Sequence, residues 1–267
     1  MKIKSLLKRG CEVLEICRKG YTRTIFAHLI LLIREAFFTK NFRWALFNYL
    51  IELESMYNII VREDYGKIKE FTPSPGDVVY DVGANVGFYT IWASKNMKGR
   101  GKIYAIEPLN YNYKRLLFNL KKNNVKIVVP LKVAISDKDG YAEMLRPAAS
   151  TSSTLFESHL KLLESKYGSK EEVLTKEVVK VTTLDAVTSR FSPSRINLLK
   201  IDIEGAELLA LKGGNKTLDI TEKLIIEVHD VSCLNKIKEK LYEKGFKIEN
   251  VFCTPRWREV LIYAKKR

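Results

Sequence analysis

Val78-Val79-Tyr80-Asp81-Val82-Gly83-Ala84-Asn85-Val86-Gly87-Phe88-Tyr89-Thr90 reads as a buried strand that runs into a glycine turn and then a helix. That arrangement holds a nucleoside at the carboxyl edge of a parallel sheet. Gly83 and Gly87 suit unusual backbone angles or the close approach of a ligand, and the short polar side chains of Asp81 and Asn85 can brace the turn. The next strand end, Ile103-Tyr104-Ala105-Ile106-Glu107-Pro108, presents a carboxylate placed to accept both hydroxyls of a ribose. Pro108 has no amide hydrogen and closes that strand. Two loop glycines or one helix-start acid are ordinary when taken singly. Their occurrence at successive strand ends points to a nucleoside pocket.

The glycine spacing bears on which nucleoside. A pyrophosphate-binding turn uses G-x-G-x-x-G so that the backbone can crowd the phosphates beneath a helix N-terminus. Gly83-Ala84-Asn85-Val86-Gly87 lacks the middle glycine. Asp81, just before the turn, suits a cationic methionine amino group better than a pyrophosphate. The leading reading is a pocket for S-adenosylmethionine, with a dinucleotide pocket and a fold without cofactor as the alternatives.

Two later segments repeat the format of an apolar strand that ends in ionisable residues. Ile196-Asn197-Leu198-Leu199-Lys200-Ile201 leads into Asp202, Glu204 and Glu207, which gathers charge where an open parallel sheet binds ligands. Glu207 also fits an ordinary first-turn helix acid. Lys223-Leu224-Ile225-Ile226-Glu227-Val228 leads into His229 and Asp230. Of the chain's three histidines, His28 falls within an apolar run, Ile25 to Ile33, and reads as a packed or interface residue, while His159 lies in a polar insertion. His229 can act as a base near neutral pH, hold a substrate hydroxyl, or orient Glu227. Acids near two strand ends do not by themselves establish a metal site, so none is assigned.

The chain resembles the FkbM family of S-adenosylmethionine-dependent methyltransferases. The resemblance is carried by Asp81 to Thr90, Glu107-Pro108, Val133-Ala134-Ile135-Ser136-Asp137, Thr182-Thr183-Leu184-Asp185, Lys200 to Glu207 and Glu227-Val228-His229, and it covers about residues 70 to 230. It implies a class I methyltransferase-like Rossmann sheet with helices on both faces, and transfer of a methyl group to a hydroxyl oxygen of a sugar, lipid or small metabolite. It also implies that Asp81, Gly83, Asn85 and Gly87 surround the methionine part of the cofactor, Glu107 its ribose, and Ser136 or Asp137 its adenine edge. Asp202, Glu204 and His229 then face the reaction centre as the catalytic group.

Strand and helix patterns alternate from residue 71 to the C-terminus as expected of a parallel α/β domain with an antiparallel finish. The expected strands cover 78–82, 102–107, 126–129, 131–135, 196–201, 223–228, 246–252 and 259–264, and the helices 87–97, 110–122, 205–212 and 232–244. Residues 141–181 interrupt the order as an insertion, read as a ribbon of Tyr141–Arg146 and Val173–Val181. Between its strands lie a hydroxyl-rich stretch over 148–154 and a charged helix near Glu157–Tyr167. A loop of that size beside a pocket can cover the donor and select the acceptor. Residues 1–70 form a helical extension in three pieces, Lys4–Lys19, Thr24–Phe38 and Phe42–Tyr57, suited to a lid, a substrate wall or a homodimer surface.

The net charge of +15 is spread along the chain rather than held in one tail. RNA methylation and peripheral membrane contact are therefore secondary expectations to a small hydroxylated acceptor, and a catalytically inactive interaction protein is a third alternative. The run Ile25–Ile33 is too short to span a bilayer and lacks the small-residue cleavage region of a secretion signal. The four cysteines form no close metal-binding pattern, and a reducing cytoplasm is the simpler setting.

Overall fold

A computed structural model describes residues 12–39, 42–60, 64–147, 174–254 and 259–267 of the protein. The hydroxyl-rich stretch 148–154 and the expected helix near Glu157–Tyr167 lie outside the described residues, as does the start of the first expected helix.

Five parallel strands build the centre of a seven-stranded sheet: β1 (Val78–Val82), β2 (Lys102–Ile106), β3 (Val128–Leu131), β7 (Ile196–Ile201) and β8 (Thr221–Val228). Two further strands, β9 (Phe246–Thr254) and β10 (Glu259–Lys266), complete it in the order β3-β2-β1-β7-β8-β10-β9, with β10 antiparallel to both neighbours. The chain steps outward from β1 to β3, then returns to lay β7 against the other side of β1. The crevice above a parallel sheet opens at such a switch point. Both expected acidic strand ends converge there, because β1 pairs with β2 on one side and β7 on the other.

The short apolar runs form strands rather than helices because both faces of the sheet are covered. Every residue of β7 is buried, as parallel strands between two helical layers require. One face carries Val79, Ile103, Leu198 and Ile225 against α4 (Phe88–Asn96) and α5 (Asn110–Lys122). The other carries Val82, Ile106, Ile201 and Ile226, packed with α6 (Leu184–Phe191), α7 (Glu207–Lys212), α8 (Asn215–Asp219) and α9 (Leu234–Glu243). Full burial of each such aliphatic side chain contributes roughly 1.5–3 kcal/mol.

The structure corrects three expectations. The strand expected near 131–135 is divided: β3 ends at Leu131 in the main sheet, while β4 (Ala134–Ser136) joins a second, three-stranded sheet with β5 (Gly140–Pro147) and β6 (Leu174–Thr183), in the order β4-β6-β5. The insertion is therefore anchored to the segment that follows the third core strand, and is more than a free ribbon. Helix α6 and the short helix α8 were not expected, because their brief apolar stretches, Leu184 and Val187 in one and Leu218 in the other, acquire a partner only in the buried cluster they share with Leu211. A local signal for α6 existed: the Thr183 side chain caps it by accepting from the Ala186 amide.

The N-terminal helices α1 (residues 12–18), α2 (Thr22–Thr39) and α3 (Phe42–Ile60) precede the sheet, and α2 and α3 lie on the α4–α5 face. Glu52 of α3 pairs with both Arg115 of α5 and His28 of α2, and Thr24 donates to Asn123 Oδ1 at 2.7 Å. His28 is a packed histidine, edge-on to Phe88 at 5.2 Å between ring centroids. Among the described residues, no helix is long and apolar enough to cross a membrane.

Candidate active site

The glycine turn is shaped by its neighbours. Gly83 has φ 80°, and a Cβ there would stand 1.7 Å from the Asp202 carbonyl oxygen, so only glycine lets the β1 turn pass the end of β7. The close approach at Gly83 is thus to the protein's own backbone. Gly87, at φ 92°, opens α4, and Asn85 between them also lies in the left-handed region at φ 52°.

Glu107 ties the turn to the end of β2. Its carboxylate accepts from the Asn85 amide at 2.9 Å, the Leu109 amide at 3.0 Å and Asn112 Nδ2 at 3.3 Å. Burial pushes its pKa up to about 7, against the pull of those donors and of Lys200. Two carboxylate oxygens offer about four acceptor positions, so the residue can still receive a ligand hydroxyl while it holds the turn.

A cavity opens between these strand ends, lined by apolar side chains and a few polar groups as small-molecule sites are. Gly83, Asn85, Glu107, Asp202 and Glu204 line it, and Val133, Ile135 and Met144 add an apolar wall. The structure separates the remaining sequence candidates from this wall. Asp81 is fully buried beneath the turn, accepting from Thr90 Oγ1 at 2.5 Å and facing Lys200 Nζ at 3.1 Å. Gly87 packs towards Leu116 instead. Ser136 and Asp137 follow the lining residues, with Ser136 Oγ donating to Asp137 at 3.2 Å and the Ser136 backbone against Gly213.

Lys200 and Asp202 come from one strand end, as their spacing predicts. Lys200 is buried with its Nζ 2.9 Å from the Gly83 carbonyl oxygen and 3.3 Å from Asp202 Oδ2. Burial works against its charge, but Asp81 and Asp202 overcome it and raise the pKa above the ordinary lysine value. Tyr65, in a short turn after the N-terminal helices, bridges Asp202 Oδ2 at 2.9 Å and Glu227 Oε2 at 2.6 Å. Burial and then the two carboxylates push this hydroxyl well above its usual pKa, so it stays a proton donor.

His229 completes the cluster from the end of β8. Its Nδ1 meets Glu207 Oε1 at 2.8 Å, and its Nε2 lies 3.5 Å from Glu204 and 3.7 Å from Asp202. Burial disfavours the imidazolium, yet Glu204, Glu207 and Glu227 together hold its pKa well above 6.5. Glu207 opens α7 and also accepts from the Gly205 amide at 2.9 Å, so it serves the helix start and the histidine at once. Tyr65, Asn112 and Met144 were missed by sequence reasoning. Asn112 was within reach, since it falls in the first turn of the helix after Glu107, whereas nothing local marks Tyr65 or Met144.

The switch-point crevice, the glycine turn and the acid at the second strand end define a class I methyltransferase-like Rossmann fold. Residues 81–248 match the Methyltransferase FkbM domain, and the chain belongs to that family of S-adenosylmethionine-dependent methyltransferases. It is 28% identical over 219 residues to Methyltransferase sdnD of Sordaria araneosa, covering 74% of this chain and 83% of that one. It is 27% identical over 198 residues to the 31-O-demethyl-FK506 methyltransferase FkbM of Streptomyces tacrolimicus, covering 65% and 74%. The hexuronic acid methyltransferase AglP of Haloferax volcanii is 24% identical over 155 residues, covering 57% and 56%.

Proposed function

We propose that this methyltransferase transfers the methyl group to a hydroxyl oxygen of a small metabolite or sugar, with Asp202 placing the acceptor. The observation that carries the reading is the polarity of the cavity lining: the Glu107 carboxylate suited to ribose hydroxyls, an apolar wall, and two further carboxylates, Asp202 and Glu204. When bound, S-adenosylmethionine supplies a methyl group already activated by its cationic sulfur, which leaves the protein to align the acceptor and exclude water.

The residues present fit that cofactor. Glu107 would receive the ribose hydroxyls, Gly83 and Asn85 would shape the methionine end from above Asp81, and Val133, Ile135 and Met144 would receive the adenine ring, with Ser136 and Asp137 bordering that slot. Asp202 accepts the acceptor's hydroxyl proton or fixes its direction, steadied by Tyr65 and Lys200. Glu204 contacts the acceptor from the loop. His229 lies behind the two acids, with Nε2 3.5 Å from Glu204 and 3.7 Å from Asp202, where it can orient them. The names of the relatives, one an O-demethyl macrolide methyltransferase and one a hexuronic acid methyltransferase, support a hydroxylated acceptor.

The test is methyl transfer from isotopically labelled donor to a panel of sugars, polyketide alcohols, amines, thiols and RNA, with products resolved by mass spectrometry. Labelled methyl ethers are expected. Label confined to amines, thiols or RNA would overturn the reading.

A further inference from the structure

We propose that Asp202, Glu204 and His229 form a binding site for a divalent cation of the Mn²⁺ or Mg²⁺ class at the acceptor end of the cavity. One oxygen from each acid and a ring nitrogen of the histidine all lie within 4.8 Å of one another. The individual spacings, 3.5 Å from Nε2 to Glu204 Oε2 and 3.7 Å to Asp202 Oδ1, exceed the roughly 2.7–2.9 Å of a charge-assisted hydrogen bond. They are close to the separation of about 3.0–3.4 Å expected between two ligands that share one ion at about 2.1 Å.

The histidine is oriented for this from behind. Its side chain is 3% exposed, and Glu207 engages Nδ1, which turns Nε2 toward the two cavity-side carboxylates. A carboxylate that fixes the distal nitrogen is the usual support of a metal-ligating imidazole. Asp202 is divided in the same way: Oδ2 meets Tyr65 and Lys200, and Oδ1 faces His229. Two carboxylates and one imidazole favour a hard or borderline ion, and three protein ligands leave coordination positions facing the cavity. Those positions fit an acceptor hydroxyl, a role that rests on the hydroxyl-acceptor reading above; binding of the ion does not.

The experiment uses the full-length, metal-stripped chain. Mn²⁺ uptake is followed by the electron paramagnetic resonance signal of the free ion, and S-adenosylhomocysteine binding by calorimetry in parallel. Uptake of one Mn²⁺ per chain is expected, weakened on the order of tenfold or more in Glu204→Gln and in Glu207→Gln, with the nucleoside affinity preserved. Glu207→Gln separates ring orientation from direct ligation, and Glu204→Gln changes a loop residue, so loss of fold in one leaves the other informative. A wild-type chain that binds S-adenosylhomocysteine but takes up no Mn²⁺ at about millimolar concentration overturns the cation site alone. Uptake that is unchanged in both Glu204→Gln and His229→Ala overturns it as well. Mn²⁺ uptake without nucleoside binding would support the cation site and overturn the donor pocket.

Discussion

Two buried charge clusters divide the molecule. Glu52, His28 and Arg115 lock α2 and α3 to α5 with side chains 2%, 0% and 8% exposed, and none of them lines the cavity. Lys200, Asp202, Glu204 and His229 also interlock, but the two acids are 26% and 19% exposed at the cavity wall. Burial and ion pairing are therefore common to a structural clasp and the candidate reactive centre. Access distinguishes them: the first cluster is buried away from the cavity, whereas the second presents carboxylates where a ligand can reach them.

The sharpest break between the two comes from neutralising one charge in each. Asp202→Asn is expected to lower single-turnover methylation by about 10²–10⁴-fold, the range for losing a group that handles a proton in the transition state. Calorimetry should find the donor affinity nearly unchanged. Retention of the wild-type rate with the true acceptor would remove Asp202 from the proposed centre. Arg115→Ala should act in the opposite sense, costing up to roughly 3–5 kcal/mol of stability by leaving the buried Glu52 charge with His28 as its remaining partner in the clasp. Burial favours a protonated Glu52, but Arg115 and His28 hold its pKa below the ordinary value. Urea unfolding would check the loss, and wild-type stability would show that the clasp is dispensable.

Glu107 tests the donor end. Glu107→Gln should weaken S-adenosylhomocysteine binding by roughly 1–3 kcal/mol, the range for a lost charged hydrogen-bond acceptor. Alanine is the poorer probe, because it would strip the acceptor from the Asn85 and Leu109 amides as well. With its folded pKa at about 7 against an ordinary 4.5, the folded chain keeps a proton that the unfolded chain loses between those values. This group's contribution to stability therefore falls as pH rises through that window. Donor affinity, which draws on the anion, should rise between about pH 6 and 8 in the wild type and stay flat in Glu107→Gln; parallel profiles would contradict the assignment.

The smallest effect is expected from Tyr65→Phe, which keeps the ring and removes the bridge to Asp202 and Glu227. Turnover should fall about tenfold with little change in donor affinity, consistent with one lost hydrogen bond to a charged group. Equal loss of stability and rate would instead make Tyr65 a packing residue.

The sequence by itself determined the alternating core, the glycine turn and the strand ends bearing Glu107, Asp202 and His229. These are legible because a strand buried on both faces must be apolar until it meets the crevice, where polar residues begin. Only the tertiary structure decided how those ends are used. It placed Asp81 beneath the turn against Lys200, assigned Gly83 to clear the Asp202 carbonyl, and attached the insertion through β4. It also brought Tyr65 to Asp202 across a separation of 137 residues. Hydrophobic periodicity reports which face of an element is buried, but it carries no record of the partner on the other side. The pairing of distant polar side chains is set when the packed elements bring them within hydrogen-bonding reach.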